Sequence, residues 1–161
     1  MIVHPTARFL LNHPAHFLAL GFGAGLVPVA PGTLGSLAAI PLFLLLPAWP
    51  LPWILALVAL LFMLGAWCCG VTGRALGTAD HGSMVWDEMV AMWLILALVP
   101  REIFWFAAAF ALFRLFDIWK PFPVSWFDRR LKNGFGVMLD DLLAAGYALA
   151  LLKGLQWLMT N

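Results

Sequence analysis

The chain has 161 residues, 64% of them hydrophobic and 11% charged, with a formal net charge of +1 and a mean hydropathy of +0.96. A soluble domain carries about 45–50% apolar and about 25% charged residues, so this composition excludes an ordinary water-soluble globule and points to an integral membrane protein. The near-neutral balance and the absence of a basic run exclude a surface that tracks nucleic acid.

The first segment, "MIVHPTARFLLNHPAHFLALGFGAGLVPVAPG", is broken by Pro and Gly where a signal peptide needs an unbroken apolar core, so it reads as retained sequence. His4, His13 and His16 carry no assignment. Five apolar stretches follow, at about Leu34–Pro47 (short, with Pro41 inside), Leu51–Gly70, Val85–Val99 (short), Ile103–Trp119 and Val137–Met159. A membrane span takes about 20 residues, so the short stretches are partial or tilted. The expectation is an all-α, polytopic membrane bundle with about four to five embedded helices. With no repeat, low-complexity segment or long linker, residues 1–161 read as a single domain.

Lys and Arg in the short joints set the orientation. With a cytoplasmic N-terminus, five alternating spans place Arg8, Arg74, Lys120, Arg129, Arg130 and Lys132 inside and only Arg101 and Lys153 outside. Trp49, Trp53, Trp105 and Trp157 then mark one interface, and Trp67, Trp86, Trp119 and Trp126 the other, leaving Trp93 mid-span.

The same threading puts Asp80, Asp87, Glu88, Asp117, Asp128, Asp140 and Asp141 on the cytoplasmic side, with Glu102 the exception. Acids in loops need no explanation. Asp87, Glu88, Asp117, Asp140 and Asp141, however, lie within or at the ends of apolar helices, where an ionised group is costly unless it is paired or holds a cation. Ala144, Ala145 and Ala148 follow Asp140 and Asp141 in small-residue rows, which turns that acidic face into the bundle. Arg114 stands one turn before Asp117, placed for an ion pair or a shared anionic ligand. Three helices thus bring carboxylates to one depth. All-oxygen ligands favour a hard ion, Mg²⁺ or Mn²⁺.

Three further motifs need weighing. "GFGAGLVPVAPGTLGS" at 21–36 ends at a helix start where Thr33 or Ser36 can serve as N-cap; a phosphate-holding turn and an ordinary entry turn fit it equally. "CCGVTGR" gives Cys68 and Arg74 the C-x5-R spacing of cysteine phosphatases, but no strand precedes it and burial leaves a thiol inert. In "TADHGS", Asp80 and Ser83 are plausible caps, and His81 is either a base, an outer-shell partner or simply solvated. The densest stretch, residues 113–141, sets Arg114, Lys120, Arg129, Arg130 and Lys132 among the acids. Attraction to anionic lipid explains the cations but not the carboxylates, whereas metal plus cationic clamps is phosphoryl-transfer apparatus.

The strings "GFGAGLVPVAPGTLGSLAAIP", "DHGSMVWDEMVAMW" and "FRLFDIWKPFPVSWFDRRLKNGFGVMLDD" together resemble the bacterial phosphatidylglycerophosphatase A family over about residues 21–146. That resemblance implies a Mg²⁺-dependent lipid phosphatase, multi-pass in the bacterial inner membrane, whose phospholipid substrate is phosphatidylglycerophosphate and whose product is phosphatidylglycerol. It also implies metal-site roles for Asp87, Glu88, Asp117, Asp140 and Asp141, and an all-α domain whose soluble relatives are oligomeric, hence a possible homo-oligomer.

On this reading Asp87, Glu88, Asp117 and Asp141 carry the chemistry at the cytoplasmic interface. Arg114, Lys120 and Arg129 offset charge on the phosphate, and Thr33 and Ser36 help hold the headgroup. Direct water attack and a phospho-aspartyl route both remain open. A membrane cation transporter is the alternative from another class. It calls for ionisable sites near the midplane with access from both sides, and these acids crowd one side.

Overall fold

The computed structural model describes residues 4–160, the side chain of Asp128 excepted. Its elements are α1 (Ala7–Leu11), α2 (Pro14–Ala19), a 3-10 segment (Gly21–Leu26), α3 (Pro31–Leu44), α4 (Leu51–Leu76), α5 (Trp86–Leu98), α6 (Ile103–Trp119), α7 (Val124–Arg130) and α8 (Gly134–Thr160). The five apolar stretches become α3, α4, α5, α6 and α8. Among the described residues there is no strand.

Only α4 and α8 are long and apolar enough to cross a membrane by themselves, among the described residues. At about 1.5 Å per residue each extends roughly 40 Å. α4 runs on past Gly70 because nothing stops it before Gly77, whose φ of 74° gives the left-handed cap that a glycine adopts without strain. α8 begins ahead of Val137, at Gly134, where Asn133 Oδ1 accepts from the Gly136 N–H at 2.8 Å.

α3 differs from expectation at its start. Pro31 takes the first helical position and Ala30 is the cap, with φ 48° and no side-chain bond. Thr33 and Ser36 therefore lie inside the helix and cap nothing. A proline there is pre-set for helix and gives up only an N–H that would have been unpaired. Asp80 and Ser83 are likewise not the caps of α5, which starts after Val85 without a side-chain cap.

α5 forms the axis of the bundle. It packs against α2, α3, α4, α6 and α8, and Trp86, Asp87, Met89–Trp93, Ile95 and Leu96 are all buried. In a bilayer such contacts are held by close packing rather than by escape from water. The small-residue positions show this. A Cβ on Gly134 would run into the backbone of Ala66 and Gly70, so α4 and α8 meet there backbone to backbone, antiparallel. Ala144, Ala145 and Ala148 are fully buried, as their row predicts.

The tryptophans correct the simple belt. Trp86 and Trp105 are buried rather than at an interface. Trp86 Nε1 donates to Leu61 O at 3.1 Å, and Trp93 Nε1 donates to Ala39 O at 2.8 Å. A buried indole needs an acceptor for its one donor, and main-chain carbonyls supply it. At the N-terminal end, His13 Nδ1 accepts from Ala15 N at 3.1 Å and so caps α2. His16 Nδ1 lies 2.9 Å from Thr72 Oγ1, tying α2 to α4.

Candidate active site

The carboxylates converge. Asp87 and Glu88 sit in the first turn of α5, and Asp141 stands two turns into α8, where the packing of α5 against α8, with their N-terminal ends side by side, brings them together. Each offers an oxygen, and the three oxygens lie within 4.8 Å of one another. Asp87 and Asp141 are only 7% and 3% exposed, so water does little to separate their charges. Asp87 Oδ1, Glu88 Oε2 and Asp141 Oδ2 are buried with no hydrogen-bond partner among the described residues. An ionised carboxylate can only accept, so three of them facing one another need protons or a cation. The donor set, hard oxygens from acceptor-only groups, fits a divalent ion such as Mg²⁺.

Arg114 links this trio to α6. Its Nη1 is 2.5 Å from Asp117 Oδ2, the expected one-turn pair, and 3.8 Å from Glu88 Oε1. Asp117 in turn lies within electrostatic reach of both Glu88 and Asp141. Asp140 is paired differently: its Oδ2 is 2.5 Å from Lys120 Nζ, while the group remains within electrostatic reach of Asp87 and Asp141. The adjacent acids of α8 are thus divided, Asp141 to the trio and Asp140 to the end of α6. Lys120 is the left-handed cap of that helix, with φ 46°, and is engaged by Asp140.

The Gly-rich turn also reaches the acids. A Cβ on Gly32 would strike Oε1 of Glu88 and stand 3.2 Å from Arg114 Nη1. The start of α3, with the first-turn N–H groups at Gly32 and Thr33, therefore abuts the Glu88–Arg114 pair. Thr33 is half-buried at this edge. Ser36 is fully buried and donates its hydroxyl to Gly32 O at 2.8 Å. Arg129 is exposed at the end of α7, and among the described residues no contact joins it to the trio. Gly32 is the residue that motif reading passed over; its signal was the proline-glycine pair opening α3.

Cys68 and Cys69 are free thiols, both fully buried in α4. His81 is buried before α5, its Nδ1 accepting from Ser83 N at 3.1 Å.

Residues 17–156 match the model of the family described as phosphatidylglycerophosphatase A. A phosphatidylglycerophosphatase A of Haemophilus influenzae is 48% identical over 158 residues, covering 97% of each chain. One of Escherichia coli is 47% identical over 141 residues, covering 86% of this chain and 81% of its own. A Bacteroides thetaiotaomicron protein, provisionally named phosphatidylinositol-3-phosphatase, is 41% identical over 150 residues, covering 88% of this chain and 93% of its own. No solved structure matches.

Proposed function

We infer the reaction from the family to which this chain belongs, the phosphatidylglycerophosphatase A family: hydrolysis of phosphatidylglycerophosphate to phosphatidylglycerol and inorganic phosphate. The observation that supports this on the chain's own residues is the buried trio Asp87, Glu88 and Asp141, with one oxygen of each lacking a hydrogen-bond partner among the described residues.

We propose that the trio holds Mg²⁺, or Mn²⁺ in its place. When bound, such an ion offsets charge on the phosphoryl group and acidifies a water at neutral pH. Arg114 lies beside the trio, and a guanidinium has more donors than its two carboxylate partners consume, so it can meet the oxygens of an incoming phosphomonoester. Asp117 fixes Arg114 in that position. The unpaired N–H groups at the start of α3 face the same point and favour an anion, since the positive end of the helix dipole adds to their donors. Burial excludes bulk water and raises the strength of each of these contacts.

The membrane setting follows from the same residues. α4 and α8 cross the bilayer, and α3, α5 and α6 are embedded beside them as short or tilted helices. The surplus of Lys and Arg at the acid end makes that end cytoplasmic in the bacterial inner membrane, so the headgroup enters the site while the acyl chains stay in lipid. The cation-transporter alternative gains no support: the relatives named above are all phosphatases, and the acids of the trio gather at one end of the bundle.

Purified protein incubated with phosphatidylglycerophosphate, with phosphatidylinositol 3-phosphate in parallel, tests the reading through released phosphate. Release from the first lipid, stopped by EDTA and restored by Mg²⁺, is the expected result. Activity confined to the phosphoinositide would move the substrate assignment, and no Mg²⁺-dependent release from either would end it.

A further inference from the structure

The reaction inferred above concerns a lipid with two phosphates, a terminal monoester and the phosphodiester that remains in the product. The carboxylate trio and Arg114 account for the monoester. We propose that the phosphodiester is held by a separate basic cleft between the end of α4 and the start of α8, with Arg74 as its main ligand. The proposal rests on the reaction inferred above and adds to it a subsite that the trio does not include.

The cleft is a cavity of about 400 Å³, lined among others by the exposed Arg74 and Lys132, by Thr78 and Asn133, and by the buried Cys69. Cys69 lies within electrostatic reach of Asp87 and Glu88, so the cleft backs onto the trio. Arg74 is turned into the groove between the two helices: a Cβ on Gly70 would stand 3.7 Å from Arg74 Nη1 and 3.9 Å from the backbone of Gly134. Gly70 and Gly134 let the two helices close on each other here, so their backbones form the floor of the cleft. Cys69 and Arg74 are five residues apart on α4, about 7.5 Å along its axis, so one short stretch of α4 runs from the side of the trio to the guanidinium.

Three other cations at the acid end are already engaged, and Arg129 does not line the cleft. Arg114 is engaged by Asp117 and Glu88, Lys120 by Asp140, and Arg130 lies over the Trp126 ring at 4.5 Å. Arg74 pairs with no carboxylate among the described residues. The one larger cavity described, about 430 Å³, is lined by Asp80 and by no Lys or Arg, so it is a poor place for an anion. A phosphodiester has two unesterified oxygens, and the guanidinium fork meets both at once. Occupied in this way, the cleft would favour a lipid with a second phosphate over a simple phosphatidic acid, which has only the monoester.

The test is calorimetric binding of short-chain phosphatidylglycerol, which keeps the diester and lacks the monoester, to the full chain in detergent. Inorganic phosphate, a monoester mimic, is the comparison ligand. Arg74→Ala is expected to weaken phosphatidylglycerol binding about tenfold, with Arg74→Lys recovering part of it and phosphate affinity unchanged. Lys132→Ala should weaken the same ligand more mildly, and it keeps the test open if Arg74→Ala fails to fold. In turnover, Arg74→Ala should raise KM for phosphatidylglycerophosphate and spare kcat. Unchanged phosphatidylglycerol affinity in both alanine variants, an equal loss for inorganic phosphate, or no phosphatidylglycerol binding by the unaltered protein would each overturn the cleft. Failure of the unaltered protein to turn over phosphatidylglycerophosphate is a different result, and removes the reaction instead.

Discussion

Gly32 and Glu88 are packed so closely that a single methyl group on the glycine would occupy the place of Glu88 Oε1. A helix start and a carboxylate from another helix thus share one point, and only the absence of a side chain permits it. Overpacking a well-fitted site costs about 1–3 kcal/mol, and here the displaced atom belongs to the proposed metal site. Gly32→Ala should therefore cut turnover at least tenfold while the protein still inserts and folds. Near-normal turnover would mean that the first turn of α3 is not fixed against Glu88.

Replacing the trio one residue at a time separates holding a cation from holding the fold. Asp87→Asn, Glu88→Gln and Asp141→Asn should each abolish turnover. Because each also removes one of several mutually repelling buried charges, the metal-free variants should melt no lower than the metal-free parent, and higher if the repulsion is large. The parent should gain thermal stability on adding Mg²⁺, and the variants should lose most of that gain. A variant that keeps the full Mg²⁺-dependent rise would remove its residue from the proposed ligand set. Asp117→Asn should also lose turnover, through the loosened Arg114.

The two neighbouring acids of α8 should behave unequally. Asp140 is on Lys120 Nζ and Asp141 is in the trio, so Asp140→Asn should be markedly milder than Asp141→Asn. Lys120→Ala and Asp140→Asn should be non-additive, with a coupling of about 0.5–3 kcal/mol in a double-mutant cycle on unfolding. Equal loss of activity from Asp140→Asn and Asp141→Asn would put both acids in the catalytic machinery.

Much of this was legible in the sequence, for physical reasons that also mark the limits. The long apolar runs predicted α4 and α8, and Ile103–Trp119 was read to the residue as α6, because a lipid-facing helix needs little more than continuous apolar residues. The acids were legible as an anomaly, charge set into hydrocarbon. What stayed hidden depends on contacts between distant positions. Nothing local says that Trp86 will send its indole to Leu61 O rather than to a headgroup, or that Gly32 will meet Glu88. The start of α3 was missed because its cap is Ala30, a residue that offers no side-chain oxygen. The short α1, α2 and α7 have five to seven residues each, too few for periodicity to show.

The thiols offer a clean negative test. Cys68→Ser with Cys69→Ser should retain most of the rate, whereas EDTA should stop the reaction and Mg²⁺ restore it. Both sulfurs are fully buried in α4, and neither belongs to the carboxylate trio. A chelator-resistant, thiol-reagent-sensitive activity would replace the metal reading with covalent chemistry on sulfur.

The position of α5 has a consequence for how the protein meets different membranes. At 13 residues it extends about 20 Å, well short of a hydrocarbon core of about 30 Å. Sheathed on every side by other helices, it owes its depth to protein contacts and not to lipid. Thicker or thinner bilayers would then be absorbed by the tilt of α4 and α8, while Asp87 and Glu88 keep their place against α3 and α8. Reconstituted into lipids of graded acyl length, the protein should show a nearly flat turnover profile, with host-membrane thickness buffered by the outer helices.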